Sequence, residues 1–396
     1  MLGYLLARAG VQVIVLEKHK DFFRDFRGDT IHPSTLEVLH ELGLLEKFLQ
    51  LPHQEYSALF AEINGRTICG PDFSALPTHC KFLAIAPQWD FLNFLADAAR
   101  SYPTFQLRLG TEAVDLIRQN GKVVGVRALQ GETELSITCD LTIAADGRNS
   151  RLRAPAGLKV REFGAPIDVL WFRMPKHDVD QVTPSLGRIN NGKMLITLDR
   201  LDYFQCGMVI RKGTFPEIQQ RGLEAFQEEV RSLAGFSRQS LNELTDWSQV
   251  KILSVQLNRL EKWQIPGMLF IGDAAHAMSP AGGVGVNIAI QDAVATANHL
   301  AGPLLAGTVS LADLEQVQRY REPAVIKTQR LQAFLHRRLF SSRRGFGQTL
   351  IFSNPVRWLL SPFSTRLRHI GGRIMGMGFQ PEHVKTPENA ITSASR

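Results

Sequence analysis

The chain has 396 residues, of which 44% are hydrophobic, 21% charged and 8% aromatic; this is the balance of a soluble protein of two to three domains with a sizeable core, and it excludes collagen-like, disordered and disulfide-scaffold classes. The formal charge of +7 is local: ten Lys and Arg and no Asp or Glu lie between Pro323 and Pro381, leaving 35 basic against 38 acidic residues elsewhere, so no nucleic-acid partner is expected. Cys69, Cys80, Cys139 and Cys206 have no CxxC or metal-type spacing, which predicts reduced thiols, no metal site and a cytoplasmic location.

In chain order, the opening lacks the basic start and small-residue cleavage site of a signal peptide. It reads as a helix over Leu2–Arg8, a Gly10 cap and a buried strand over Val11–Leu16 that ends at Glu17. Ser34-Thr-Leu-Glu37 is a capping box that predicts a helix continuing to about Leu49. Residues 57–70 alternate as a hairpin around Asn64-Gly65. A second helix runs over Phe91–Arg100, residues 105–138 read as a short meander turning at Asn120-Gly121, and Leu141–Ala145 is a short buried strand.

From Pro155 to Trp263 the pattern becomes that of an antiparallel sheet, with strands near 169–174, 194–198 and 203–210 and a helix over Leu223–Ala234. Met268–Ile271 is again a buried strand. It is followed by a glycine-rich loop, a long helix over about Gly285–Leu300, and a further helix capped by Ser310-Leu-Ala-Asp313. No apolar run reaches the ~18 residues needed to span a bilayer.

Three segments carry chemistry. Leu269-Phe-Ile-Gly-Asp-Ala-Ala-His276, followed by Pro280-Ala-Gly-Gly-Val-Gly-Val-Asn287, delivers Asp273 at the carboxyl end of a strand, where open α/β sheets bind ligands. The glycines let backbone approach a flat or phosphorylated ligand, and the helix start offers free N–H groups. Cys139-Asp-Leu-Thr-Ile-Ala-Ala-Asp146-Gly147-Arg148-Asn149-Ser150-Arg151-Leu152-Arg153 is a second strand ending in Asp-Gly, with basic residues that could face phosphates. Glu17 is an acid at a strand end, where a ribose is gripped through its hydroxyls. Taken singly, each also reads as ordinary turn and cap chemistry.

In this order the three segments resemble the flavoprotein monooxygenase family typified by para-hydroxybenzoate hydroxylase, over roughly Leu2–Leu300. The resemblance implies an α/β fold: a Rossmann-like FAD-binding domain with a parallel sheet, an antiparallel-sheet substrate domain and a C-terminal helical tail. It divides the chain into 1–154 (FAD-binding domain, first part), 155–263 (substrate domain), 264–322 (FAD-binding domain, second part) and 323–396 (basic helical region). It implies FAD as cofactor, NADH or NADPH as co-substrate, and hydroxylation by O2 of an aromatic or polyketide-like small molecule. By position, Glu17 would hold the adenosine ribose, Asp273 the ribityl chain, and Asp146 with Gly147 the region of the pyrophosphate and the nicotinamide nucleotide. Pro280 and the backbone of Gly285, Val286 and Asn287 would face the flavin, as would Arg27 and Gln88.

His276 and His32 lie in cofactor-proximal segments but read as structural, and Tyr203, Gln205 and Arg211 are candidates for a substrate-activating group in the middle sheet; no catalytic residue is assigned. The family's first strand and GxGxxG loop have no counterpart in the sequence, so the chain alone is expected to hold FAD poorly or to fold badly. A flavin-dependent reductase or epoxidase, or a non-catalytic remnant, are the alternatives. The basic stretch reads either as a surface layer or, through Leu331, Phe334, Leu335, Leu339 and Trp358-Leu-Leu360, as a weak contact with a membrane surface.

Overall fold

The computed structural model describes residues 1–23, 30–180, 182, 185–190, 192–200, 202–340 and 354–389. The first helix spans Leu2–Arg8 and buries Tyr4, Leu5, Leu6 and Ala7. It leads into strand Val13–Glu17, which pairs in parallel with Phe105–Leu109. A second parallel pair joins Thr142–Ala144 to Met268–Phe270, and among the described residues no strand bridges the two pairs. Residues 105–109 thus leave the expected meander, which is built from Thr111–Gln119, Lys122–Gln130 and Thr133–Thr138 alone. Alternation marks a strand but does not choose its partner.

The largest sheet has seven strands. Ile167–Pro175, Tyr203–Arg211 and Lys193–Asp199 form its centre, all antiparallel. Two strands, Ala58–Ile63 and Arg66–Asp72, come from the hairpin around Asn64-Gly65, so the sheet draws on chain outside 155–263. On one face Leu170, Phe172, Leu195, Phe204 and Met208 pack on helix Leu223–Ala234 through Phe226 and Val230. The other face carries Ile167, Val169 and Val209, with Trp171, Met194 and Ile196 beside them.

Helix Val284–Leu305 runs through the middle of the molecule, burying Val294, Ala297 and Leu300. Its apolar side closes two cores, one against the first helix and one against Met268–Ile271. Two further helices follow, Leu311–Phe340 and Asn354–Met377. The segment after Pro381 is not helical: it crosses to the N-terminal half, where Val384 N–H donates to Glu41 (2.7 Å), Arg8 Nη1 to the Thr386 carbonyl (2.9 Å) and Asn389 N–H to the Arg8 carbonyl (2.9 Å). Gly378 at φ +79 and Pro381 end the helical run predicted for this region.

The helix expected from Ser34 starts instead at Pro33, with His32 as an N-cap lacking any side-chain cap bond, and it stops at Glu41. Ser34 is not a cap because its hydroxyl is used elsewhere, as shown below. All four cysteines are free. No described helix is long and apolar enough to cross a membrane.

Candidate functional site

Strand Met268–Phe270 is wholly buried and hands over to a single tight turn, Gly272–Ala274, that presents Asp273. Gly272 takes φ +57, and a Cβ there would lie 3.1 Å from the Ala289 methyl, so the turn needs glycine on both counts. Asp273 stands at the surface of this turn with its carboxylate accepting from Arg148 Nη2 at 3.0 Å. The Asp146-Gly147 segment is therefore brought against the Gly272-Asp273 turn.

Arg153 locks them together. Its guanidinium donates to the carbonyls of Ala274 (2.8 Å), Asp273 (2.9 Å) and Arg148 (3.2 Å). It is buried, and three of its five N–H donors are spent on these backbone carbonyls. Asp146 accepts from Arg151 N–H at 3.1 Å and caps its own turn. Among the described residues, Arg148 Nη1 and the Ser150 hydroxyl are buried and have no hydrogen-bond partner.

The glycine loop leads from Pro280 through a short turn, Ala281–Gly283, into the long helix at Val284. Gly283 is left-handed (φ +63), and its carbonyl accepts from Thr30 Oγ1 at 3.0 Å. Among the described residues no side chain caps this helix N-terminus, whose N-cap is Gly283; such a helix start suits an anionic or carbonyl-bearing ligand edge. A Cβ at Gly285 would make only an ordinary van der Waals contact, with Met278 Cβ at 3.9 Å. The Asn287 side chain is turned inward, its Oδ1 accepting from Ser34 Oγ (2.7 Å) and Thr35 Oγ1 (2.8 Å). That leaves its backbone, with Gly285 and Val286, at the helix start.

Glu17 ends its strand as expected and accepts from His19 N–H at 2.9 Å. Gln88 is the first residue of helix Gln88–Arg100. Arg27 lies outside the described residues. Asp146, Gly147, Asp273, Pro280, Gly285, Val286 and Asn287 fall on the two motif segments joined by Arg148 and Arg153; Glu17 and Gln88 stand on the neighbouring Val13–Glu17 strand and Gln88–Arg100 helix.

The two histidines are held fast. His276 is buried against Trp263, with Nε2 2.6 Å from Asp292 Oδ2. His32 places Nδ1 2.8 Å from the Met375 carbonyl and Nε2 3.1 Å from the Gly283 carbonyl. Burial pushes its pKa down to about 4, outweighing both carbonyls, so the ring is neutral near pH 7. Tyr203, Gln205 and Arg211 share one sheet face with Trp171, the face away from helix Leu223–Ala234. Arg173 lies 4.7 Å over the Tyr203 ring, Arg200 Nε donates to Gln205 at 3.2 Å, and the Trp171 indole N–H is buried without a partner among the described residues.

Thr30, Ser34, Thr35, Gln291, Asp292 and Arg321 were not singled out as site residues in the sequence, because their bonds join segments far apart in the chain. The available signal was polar residues at buried positions of a largely apolar helix, Gln291 and Asp292 among them.

The donor set fits an FAD. It combines a strand-end carboxylate for sugar-like hydroxyls, an uncapped helix start, an unsatisfied guanidinium nitrogen and a buried hydroxyl beside the Asp-Gly turn. The family model described as the FAD binding domain matches residues 1–331. Among curated proteins, the 6-methylpretetramide 4-monooxygenase of Streptomyces rimosus is 29% identical over 347 residues, covering 87% of this chain and 82% of its own length. The uncharacterized aromatic compound monooxygenase YhjG of Bacillus subtilis is 28% identical over 301 residues, covering 74% of this chain; this chain spans only 57% of that relative's length. The crystal structure of p-nitrophenol 4-monooxygenase PnpA from Pseudomonas putida superimposes with a TM-score of 0.70 at 19% identity, covering 94% of this chain and 92% of that one. At that identity the superposition establishes the fold.

Proposed function

The chain belongs to the FAD binding domain family, and on that premise we propose that it is a monooxygenase that uses NADH or NADPH and O2 to hydroxylate an aromatic or polyketide-like small molecule. It is an FAD-dependent oxidoreductase. Bound FAD supplies the hydride acceptance and oxygen activation that side chains lack; the chain must hold the cofactor, orient the substrate and keep water out.

The observation that carries this reading is the junction of the Asp273 turn and the Asp146-Gly147 segment through Arg148 and Arg153, beside an uncapped helix start. In this assignment Asp273 takes the ribityl hydroxyls, and Glu17 takes the adenosine ribose. Arg148, with Nη1 unspent, and Ser150 face the pyrophosphate region near Asp146 and Gly147. The N–H groups of Gly285, Val286 and Asn287 meet the polar edge of the flavin ring, with Pro280, Arg27 and Gln88 around it. The helix dipole favours negative charge at that edge. The substrate is assigned to the sheet face of Trp171, Tyr203 and Gln205, where the unpartnered indole N–H can donate to a substrate oxygen.

Substrate-dependent oxygen uptake with NADH or NADPH, measured across phenols and fused-ring polyketides with mass analysis of the product, tests the proposal. One oxygen atom added to a substrate is the expected result. Reduced-nucleotide oxidation that leaves every organic substrate unoxygenated would make the protein a reductase instead.

A weak contact of the basic C-terminal stretch with an anionic membrane surface is supported by the exposed Phe334 and Leu335 on helix Leu311–Phe340. The side chains of Leu339 and Trp358-Leu-Leu360 lie outside the described ones. Co-sedimentation with anionic vesicles at low salt is expected, and its absence refutes the contact.

A further inference from the structure

Beneath the cofactor assignment lies a buried polar network with one cation at its centre. Arg321, on helix Leu311–Phe340, is fully buried, as is Asp292, and Glu382 is nearly so. Arg321 Nε donates to Asp292 Oδ1 at 3.0 Å. The other Asp292 oxygen accepts from Gly272 N–H at 3.0 Å and lies 2.6 Å from His276 Nε2. Arg321 Nη2 donates to Gln291 Oε1 at 3.2 Å, and Gln291 Nε2 donates to Ser34 Oγ at 3.2 Å and to the Met377 carbonyl at 3.0 Å. Ser34 in turn donates to Asn287. Arg321 Nη1 donates to Glu382 Oε1 (2.7 Å) and to the Gln380 carbonyl (3.0 Å).

One guanidinium therefore governs both halves of the cofactor grip. Through Asp292 it reaches the backbone N–H of Gly272, which sets the turn carrying Asp273. Through Gln291 and Ser34 it reaches Asn287, at the start of the long helix. Through Glu382 it fixes the C-terminal segment. Joining two helices needs no charge, and a buried ion pair is a poor way to gain stability because both ions must leave water. What the planar fork adds is direction, several donors at fixed angles.

We propose that Arg321 is a positioning residue that sets the Asp273 turn and the start of helix Val284–Leu305 for FAD, through Asp292 and Gln291. The proposal rests on the FAD reading above. Lysine cannot reproduce the fork, and Arg321→Lys keeps the charge while losing the geometry. Asp292→Asn keeps the shape and weakens the grip on Gly272.

The test is flavin-fluorescence titration of the full chain and its variants, with hydrogen exchange at the Gly272–His276 amides as a cofactor-free readout. Arg321→Lys and Asp292→Asn should each weaken FAD binding tenfold or more and speed exchange at Gly272, while amides of strands 193–199 and 203–211 keep their protection. The double variant should lose less than the product of the two. A merely structural role would lower the melting temperature and leave FAD affinity in the cold unchanged, and that result overturns the proposal. Should both variants fail to fold, Glu382→Gln decides: it leaves Asp292 in place and should still weaken FAD binding severalfold, whereas unchanged affinity overturns the proposal. A parent chain that never saturates with FAD removes the cofactor reading and this proposal together; a parent that saturates with variants matching it removes only the proposal.

Discussion

Asp273 and His32 show how differently two polar residues near one loop are used. Asp273 is half-buried and shares its charge with Arg148 across 3.0 Å, a pair exposed enough that its loss changes stability by under about 1 kcal/mol. Asp273→Ala is therefore expected to weaken FAD binding at least tenfold while leaving the unfolding midpoint nearly unmoved, as fluorescence titration and urea unfolding would report; equal affinity would remove Asp273 from the site. His32 belongs to the fold instead. Burial lowers its pKa to about 4, so between pH 6.5 and 4 the unfolded chain takes up a proton that the folded chain refuses. Its neutral form keeps full stability above about pH 6.5, and stability drains as pH falls toward 4. Between pH 7.5 and 5 this amounts to about 2 kcal/mol. His32→Gln should flatten that part of the pH–stability curve, and an unchanged slope in urea unfolding would refute the assignment. The position of each residue was legible in the sequence, Asp273 at a strand end and His32 before a helix. The partner of each was not, since Arg148 is 125 residues from Asp273 and Met375 is 343 from His32.

Among the elements, helix Val284–Leu305 separates packing from recognition. Its apolar period fixes which side is buried, and Leu300→Ala, at a fully buried core position, is expected to cost about 2–5 kcal/mol with FAD affinity in the cold unaltered. Gly283→Ala acts at the other end. Its Cβ would sit 2.4 Å from Thr30 Oγ1 in a left-handed backbone, so both stability and FAD affinity should fall, the former by about 1–3 kcal/mol. A variant that melts and titrates like the parent would contradict the loop geometry. The helices and most strands are readable because 3.6- and 2-residue periods are local properties. Pairing is not local: strand Phe105–Leu109 alternates like a meander strand yet lies parallel to Val13–Glu17, and the hairpin at 58–72 joins the sheet of residues 167–211. Ser34 looked like a helix cap because a hydroxyl three residues before Glu37 has that signature. Competition from Asn287 in the core decided otherwise.

For the molecule as a whole, the C-terminal chain matters more than its charge suggests. Residues 380–389 touch helix Leu311–Phe340 through Arg321 and the N-terminal segments through Arg8, Glu41 and Tyr102, so they tie the start of the chain to its C-terminal helices. A chain ending at Phe379 should lose cooperativity in thermal unfolding and release FAD, and a truncated chain with the parent's melting curve would show the segment to be passive. This strap was invisible in the sequence, where Arg and Lys counts described a basic helical region and nothing marked Glu382 as buried. The family motifs, by contrast, carried the cofactor assignment without any structure, because strand-end acids and glycine turns are constrained by the ligand they meet. The most direct test of the whole account is a flavin-fluorescence titration of the 396-residue chain with FAD: the sequence read without a GxGxxG loop predicts weak binding, but the junction of the Asp273 turn with the Asp146-Gly147 segment through Arg148 and Arg153 predicts saturable binding at one FAD per chain, weakened in Asp273→Ala, and a chain that quenches no flavin at any concentration would contradict it.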